Sequence, residues 1–225
     1  MGWASYDSAH IGLTILVWLA QIFYIVCFIP QILENLRQHS ERGLSDLFLI
    51  GNLNSYIFLA FDIVCNNYPW PYLITSAVQI LGISILIFQR FYYDFSARGA
   101  RQKAQRFFLF YLANVIGALC LIPFARTYPH FMGEFSAWMV IILVAAGMIP
   151  QIYKIHKAKS VEGFSFLFVS FFSLASLCEF ILCLKLNLSL PYLLYTVQDL
   201  VMFLIFVVQF FLYSKGKSWY AKLMH

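Results

Sequence analysis

The stretches FIPQIL (Phe28–Leu33) and MIPQIY (Met148–Tyr153) place the same Pro-Gln pair near the end of two apolar runs, a constant 120 residues apart. Proline inside a helix removes one backbone hydrogen bond and clashes with the carbonyl four residues back. A helix break of that kind, written twice in register, points to a duplicated bundle of helices.

Sliding the chain against itself by 120 extends the register, without insertion, from Trp18–Tyr93 over Trp138–Tyr213. The matched pairs include Trp18/Trp138, Ser40/Ser160, Gly43/Gly163, Ser45/Ser165, Asn67/Asn187, Pro71/Pro191, Tyr72/Tyr192 and Gln89/Gln209. Apolar composition alone pairs Leu with Leu. It does not line up Trp, Pro, Gly, Asn and Gln.

The chain of 225 residues is 62% hydrophobic and 11% charged, roughly half the charged fraction of soluble domains. Apolar stretches near the ~20 residues that cross a bilayer fall at 11–33, 45–65, 70–90, 106–126, 134–154, 164–185 and 189–213. The segment 90–106 reads as the longest loop, too short for a catalytic domain. The first ten residues carry no basic region ahead of the apolar run, so no removable leader is expected.

The expectation is an all-α membrane protein of seven transmembrane helices, arranged as two parallel three-helix-bundle repeats joined by a linker helix (3+1+3). The units expected are a first repeat over 11–93, a cytosolic loop with the linker helix over 94–127, a second repeat over 131–213 and a cytosolic tail over 214–225. Parallel repeats related by an axis along the membrane normal are a transporter architecture.

Of the 15 Lys and Arg, only Arg126 and Lys185 fall on one side of a seven-span arrangement. The positive-inside rule then puts the C-terminus in the cytosol and the N-terminus outside or in a lumen. The net charge of +5 is thereby explained by topology and anionic headgroups, and no nucleic acid partner is implied. The five cysteines lack metal-ligand spacing. No metal or cofactor is expected, and no catalytic constellation that would make the chain an enzyme.

With two IPQIxxxxxxxS motifs, each followed by Gly-Leu-Ser or Gly-Phe-Ser (Gly43, Leu44, Ser45; Gly163, Phe164, Ser165), and with YLLYTVQDLVMFLIFVVQFFLY in span seven, the chain resembles the PQ-loop family. That family includes the lysosomal cystine carrier, lysosomal cationic amino acid exporters, bacterial homologues and, more distantly, the SWEET sugar transporters. The resemblance implies a small-solute carrier working by alternating access in a lysosomal, endosomal or bacterial inner membrane. It also implies proton coupling through an Asp in span seven. The chain departs from the cystine carrier in lacking a long glycosylated luminal N-terminus.

A carboxylate at mid-bilayer costs ~2.5 kcal/mol or more unless it meets a partner or a cavity. Asp199 lies about ten residues into span seven, some 15 Å along a helix, so it is the proton-coupling candidate. Tyr195 and Gln198 flank it on one polar face, and Gln79 holds the corresponding position of the first repeat. Asn52 and Tyr56 in span two and Ser173 in span six complete the expected substrate-binding set. Ser and Asn also serve as glue between membrane helices. Asp62 and Glu179 read as interfacial, where water reaches, with a gate or second proton site as the alternative for either, and Asn114 reads as a packing residue of span four.

Pro30 and Pro150 free the carbonyls of Val26 and Ala146, and Gln31 and Gln151 are expected to donate to them. Pro30, Gln31, Pro150 and Gln151 are therefore the expected hinges. The leading expectation is a proton-coupled amino acid carrier. A SWEET-like sugar facilitator and a seven-span receptor or scaffold stand as alternatives.

Overall fold

In the computed structural model the described residues are 11–38, 43–96, 101–186 and 188–214. They form α1 (Ile11–Val26), α2 (Phe28–Gln38), α3 (Asp46–Cys65), α4 (Trp70–Ser96), α5 (Arg101–Thr127), α6 (Pro129–Ala158), α7 (Phe166–Leu186) and α8 (Leu190–Tyr213), and no strand occurs among them. With α1 and α2 counted as one broken span, seven helices are long and apolar enough to cross a membrane. A chain in lipid has to satisfy its backbone polar groups within each segment, and helices do so.

Three boundaries differ from the sequence reading. The first span runs on to Gln38 and the fifth fills Pro129–Ala158. The stretch 90–106, expected as a loop, is helical to Ser96 and again from Arg101. Its charged residues end two long helices, which can extend past the apolar zone because their backbone bonds are internal. The tail beyond residue 214 and Asn187, the register partner of Asn67, lie outside the described residues.

The proline break appears in one copy only. Cys27 stands between α1 and α2, its N–H on the Phe23 carbonyl at 3.0 Å and its thiol donating to the Tyr24 carbonyl at 3.1 Å. Pro150 lies inside an uninterrupted α6. Position 147, the counterpart of Cys27, is a glycine pressed against α3. A Cβ on Gly51 would sit 2.7 Å from the Gly147 Cα, so α3 and α6 meet backbone to backbone.

Within the first repeat α4 packs on both α1 and α3, and within the second α8 packs on both α6 and α7. The two triads meet along two seams, α3 with α6 and α1 with α7. The linker α5 lies outside, against α4, α6 and α3, and none of its apolar span window is buried.

The loop that opens each second helix is built twice. Ser45 Oγ accepts from the Phe48 N–H at 3.0 Å and Ser165 Oγ from the Phe168 N–H at 3.4 Å, capping α3 and α7. Just ahead of the caps, Gly43 and Gly163 touch. A Cβ on Gly43 would lie 2.1 Å from the Gly163 carbonyl carbon, and Gly163 holds φ +77°, a conformation that glycine adopts at little cost.

The register also repeats a helix-to-helix bond. Gln89 donates to the Ile32 carbonyl at 3.2 Å and Gln209 to the Ile152 carbonyl at 2.9 Å. The copies diverge at the next shell. Asn35 Nδ2 donates to Gln89 Oε1 at 3.0 Å, whereas Ile155 stands at the corresponding place and Gln209 Oε1 has no partner among the described residues.

Candidate functional site

The buried face of α8 runs Tyr192, Tyr195, Thr196, Asp199, Phe203, Phe206, Phe210, spaced by three and four as one side of a helix requires. Asp199 is thus the single acid in an aromatic stripe turned toward the core. It is 1% exposed, and neither carboxylate oxygen meets a donor at full hydrogen-bond geometry among the described residues, the Tyr195 hydroxyl one turn back on α8 reaching it only weakly.

What surrounds Asp199 comes from both repeats. Tyr24 of α1, Tyr56 of α3 and Tyr195 of its own helix all lie within electrostatic reach of the carboxylate, and all three are buried. Tyr24 also meets Ser176 of α7, hydroxyl to hydroxyl, at 3.4 Å. Its ring stands edge-on to Phe172 at 5.0 Å.

The buried charged residues are Asp62, Glu179 and Asp199, and the described residues contain no buried Lys, Arg or His to offset them. A desolvated carboxylate without a cation is costly. It is relieved by a proton or by an incoming positive group.

Toward the Pro-Gln loops the site is closed by aromatic side chains and then by the two glutamines. Phe172 stacks on Phe203 at 4.1 Å, and Phe28 packs edge-on to Tyr56 and Phe168. Gln31 does not serve the carbonyl freed by its neighbouring proline. Its Nε2 donates to the Gly163 carbonyl and to Asn35 Oδ1, both at 2.9 Å, and its Oε1 accepts from the Ser165 N–H at 2.8 Å.

Gln151 mirrors it, donating to the Gly43 carbonyl and accepting from the Ser45 N–H, both at 2.7 Å. Each glutamine therefore clamps the loop of the other repeat. A loop backbone buried beside a helix has to find partners, and these amides supply them across the repeat axis.

Toward the opposite end, Glu179 of α7 accepts from the Tyr192 hydroxyl at 2.6 Å and from Gln21 Nε2 at 3.5 Å. The Tyr192 ring meets Tyr72 and Tyr68 of the first repeat at 6.3 and 5.5 Å. Glu179 is 1% exposed, as is Asp62, which accepts from Asn66 Nδ2 at 2.6 Å. Both were expected where water reaches. Neighbouring helices cover them instead.

Of the expected binding residues, Tyr56 and Tyr195 are the two within electrostatic reach of Asp199. Gln79 is buried with its Oε1 unpartnered among the described residues. Gln198 turns to α6 and donates to the Ile141 carbonyl at 2.9 Å. Asn52 and Ser173 bond their own helices, at the Phe48 and Val169 carbonyls, and Asn114 does the same at Phe110. Sequence reasoning missed Gln21 and Tyr24, whose spacing of three places both polar tips on one face of an apolar helix.

The profile of the PQ-loop repeat matches residues 12–72 and again 132–192. An uncharacterized protein of Schizosaccharomyces pombe is 28% identical over 188 residues, which cover 80% of this chain and 62% of that protein. A vacuolar histidine transporter of Saccharomyces cerevisiae is 34% identical over 83 residues, covering 37% of this chain and 28% of that protein. The chain thus spans less than two thirds of the length of these relatives.

Proposed function

Because the chain belongs to the PQ-loop repeat family, we propose that it is a membrane carrier of a small polar solute, an amino acid, working by alternating access and coupled to protons at Asp199. The observation that carries this reading is the buried carboxylate of Asp199, without a hydrogen bond of full geometry among the described residues and within electrostatic reach of tyrosines of both repeats. A group reached from both bundles exchanges its surroundings when the bundles rock.

The excess of buried acid over buried base favours a solute with a positive group, and the yeast relative named as a histidine transporter agrees with that chemistry. In this reading the solute cation sits against Asp199 among Tyr24, Tyr56 and Tyr195, and a proton occupies the carboxylate when the site returns empty. Gln79, on the corresponding helix of the first repeat, orients the polar end of the solute.

The Gln31 and Gln151 clamps keep the cytosolic side shut until α2 swings about the break at Cys27 and Pro30, with Pro150 as the stiffer counterpart. The excess of basic residues on one side favours Pro-Gln loops in the cytosol, in a lysosomal, endosomal, vacuolar or bacterial inner membrane.

The test is uptake of radiolabelled histidine and arginine into proteoliposomes under an imposed pH gradient. Wild type accumulates one or both, and Asp199→Asn loses the gradient-driven part. Full pH-driven uptake by Asp199→Asn refutes the role given to this residue, and uptake of sugars with no response to pH favours a SWEET-like facilitator.

A further inference from the structure

The two closures around Asp199 differ in chemistry. The one at the Pro-Gln loops is made of aromatic rings, neutral amides and backbone, with the Lys154 ammonium donating to the Leu44 carbonyl at 2.7 Å and no carboxylate in the tie. The one at the far end is made by a buried charge, because Glu179 ties Tyr192 of α8 to α7 and takes a longer bond from Gln21 of α1.

We infer that Glu179 is a second charge-reading residue of the pathway. Its carboxylate latches the far-side gate through Tyr192 and Gln21, and the latch opens when a cationic solute group takes over the carboxylate. This inference rests on the carrier reading above and assigns a residue that sets both gating and specificity.

Three observations carry it. The counterpart of Glu179 in the first repeat is Leu59 and that of Gln21 is Ile141, so the latch has no copy at the α3/α6 seam. Near the Pro-Gln loops that seam is closed by the contact of Gly51 with Gly147, and at the far end Gly133 of α6 packs on Asn66, whose amide donates to Asp62 of its own helix.

Second, the α1/α7 seam is built from side chains. Tyr24 on Ser176, Tyr24 edge-on to Phe172 and Phe23 stacked on Phe171 at 6.1 Å complete it. Contacts between side-chain tips can be exchanged for a solute in a way that a backbone contact cannot.

Third, the groups facing Glu179 include no basic residue. They are Tyr24 from α1, Tyr192, Tyr195 and Asp199 from α8, and Cys178 and Cys183 on its own helix. Tyr24 and Tyr195 lie within electrostatic reach of both acids, so a cation passing from Glu179 to Asp199 stays in contact with the same rings. The tie to Tyr192 also links charge to closure, since that ring is the one seated on Tyr68 and Tyr72.

The test uses the full chain in liposomes with Cys183 as the remaining cysteine. Cys183 is buried, bonded to Thr196 and close to Glu179. Its alkylation by a maleimide at fixed pH reads the latch without requiring flux. Arginine is the cationic probe and citrulline its neutral near-isostere.

In wild type, arginine accelerates alkylation and citrulline does not. Glu179→Gln and Tyr192→Phe both raise the basal rate, by about tenfold for loss of one charge-assisted hydrogen bond. Glu179→Gln no longer responds to arginine. Intact melting profiles for both variants show that the change is local.

Basal rates equal to wild type in both variants overturn the latch. An equal effect of arginine and citrulline on wild type, or an arginine response retained by Glu179→Gln, overturns the charge reading. Failure of the carrier reading shows separately, as absence of histidine and arginine counterflow through the wild-type protein.

Discussion

Replacing Gln31 with Leu removes three hydrogen bonds at once, to the Gly163 carbonyl, to Asn35 and from the Ser165 N–H. Gln31, Gly163 and Ser165 are all buried, so the closed form of the variant keeps a backbone N–H and a carbonyl with no replacement. Each such group costs about 1–3 kcal/mol, which sets the penalty on the closed state at about 2–6 kcal/mol. In a form opened on this side, water reaches both groups and the penalty vanishes. The difference therefore shifts the balance between states and does not merely lower overall stability.

At the low end of that range the open fraction rises about 30-fold. The readout is alkylation of Cys27, 0% exposed at the break between α1 and α2, with the other four cysteines replaced. Gln31→Leu should label faster by about that factor while its melting temperature falls by only a few degrees. A lowered melting temperature with Cys27 still protected at the wild-type rate refutes the clamp, because Gln31 then supports the fold in every state alike.

Other consequences can be measured on the same protein. Gln151→Leu strips the Gly43 carbonyl and the Ser45 N–H of their partner and should accelerate Cys27 labelling in the same direction. Gln89→Leu should destabilise the protein more than Gln209→Leu by about 1 kcal/mol, because it also orphans Asn35 whereas Gln209 Oε1 is already unpartnered; chemical denaturation in mixed micelles compares the two. Gly51→Ala forces a methyl to 2.7 Å from the Gly147 Cα and should cost about 1–3 kcal/mol by overpacking, seen as a lower melting temperature. Tyr56→Phe should leave melting unchanged and weaken binding of an arginine probe modestly, since the ring stays and only the hydroxyl near Asp199 is lost.

The seven spans were legible because lipid demands long apolar helices. The duplication was legible because Trp, Pro, Gly, Asn and Gln keep register in a way that apolar residues do not. Asp199 stood out for the same reason, as an acid on an apolar face.

What the sequence hid depends on contacts between the repeats. Gln31 and Gln151 look as though they serve their own helices. Their partners are Gly163 and Gly43, more than 100 residues away, and come within reach only where two loops cross an axis. Glu179 looks interfacial from its place near the end of a span, and is buried because Gln21 and Tyr192 cover it. The break at Cys27 has no counterpart at Gly147, where α6 lies against α3 backbone to backbone, and no local pattern encodes that contact.

In the proposed cycle Asp199 exchanges a proton for a solute cation. Calorimetric titration of the purified protein with histidine or arginine, repeated in mildly acidic buffers of different ionisation enthalpy, counts the protons set free on binding. Wild type should release up to about one proton per solute as the cation displaces the proton from the carboxylate, and Asp199→Asn should bind with none released. Proton release that is absent in the wild type, or undiminished in Asp199→Asn, contradicts this exchange.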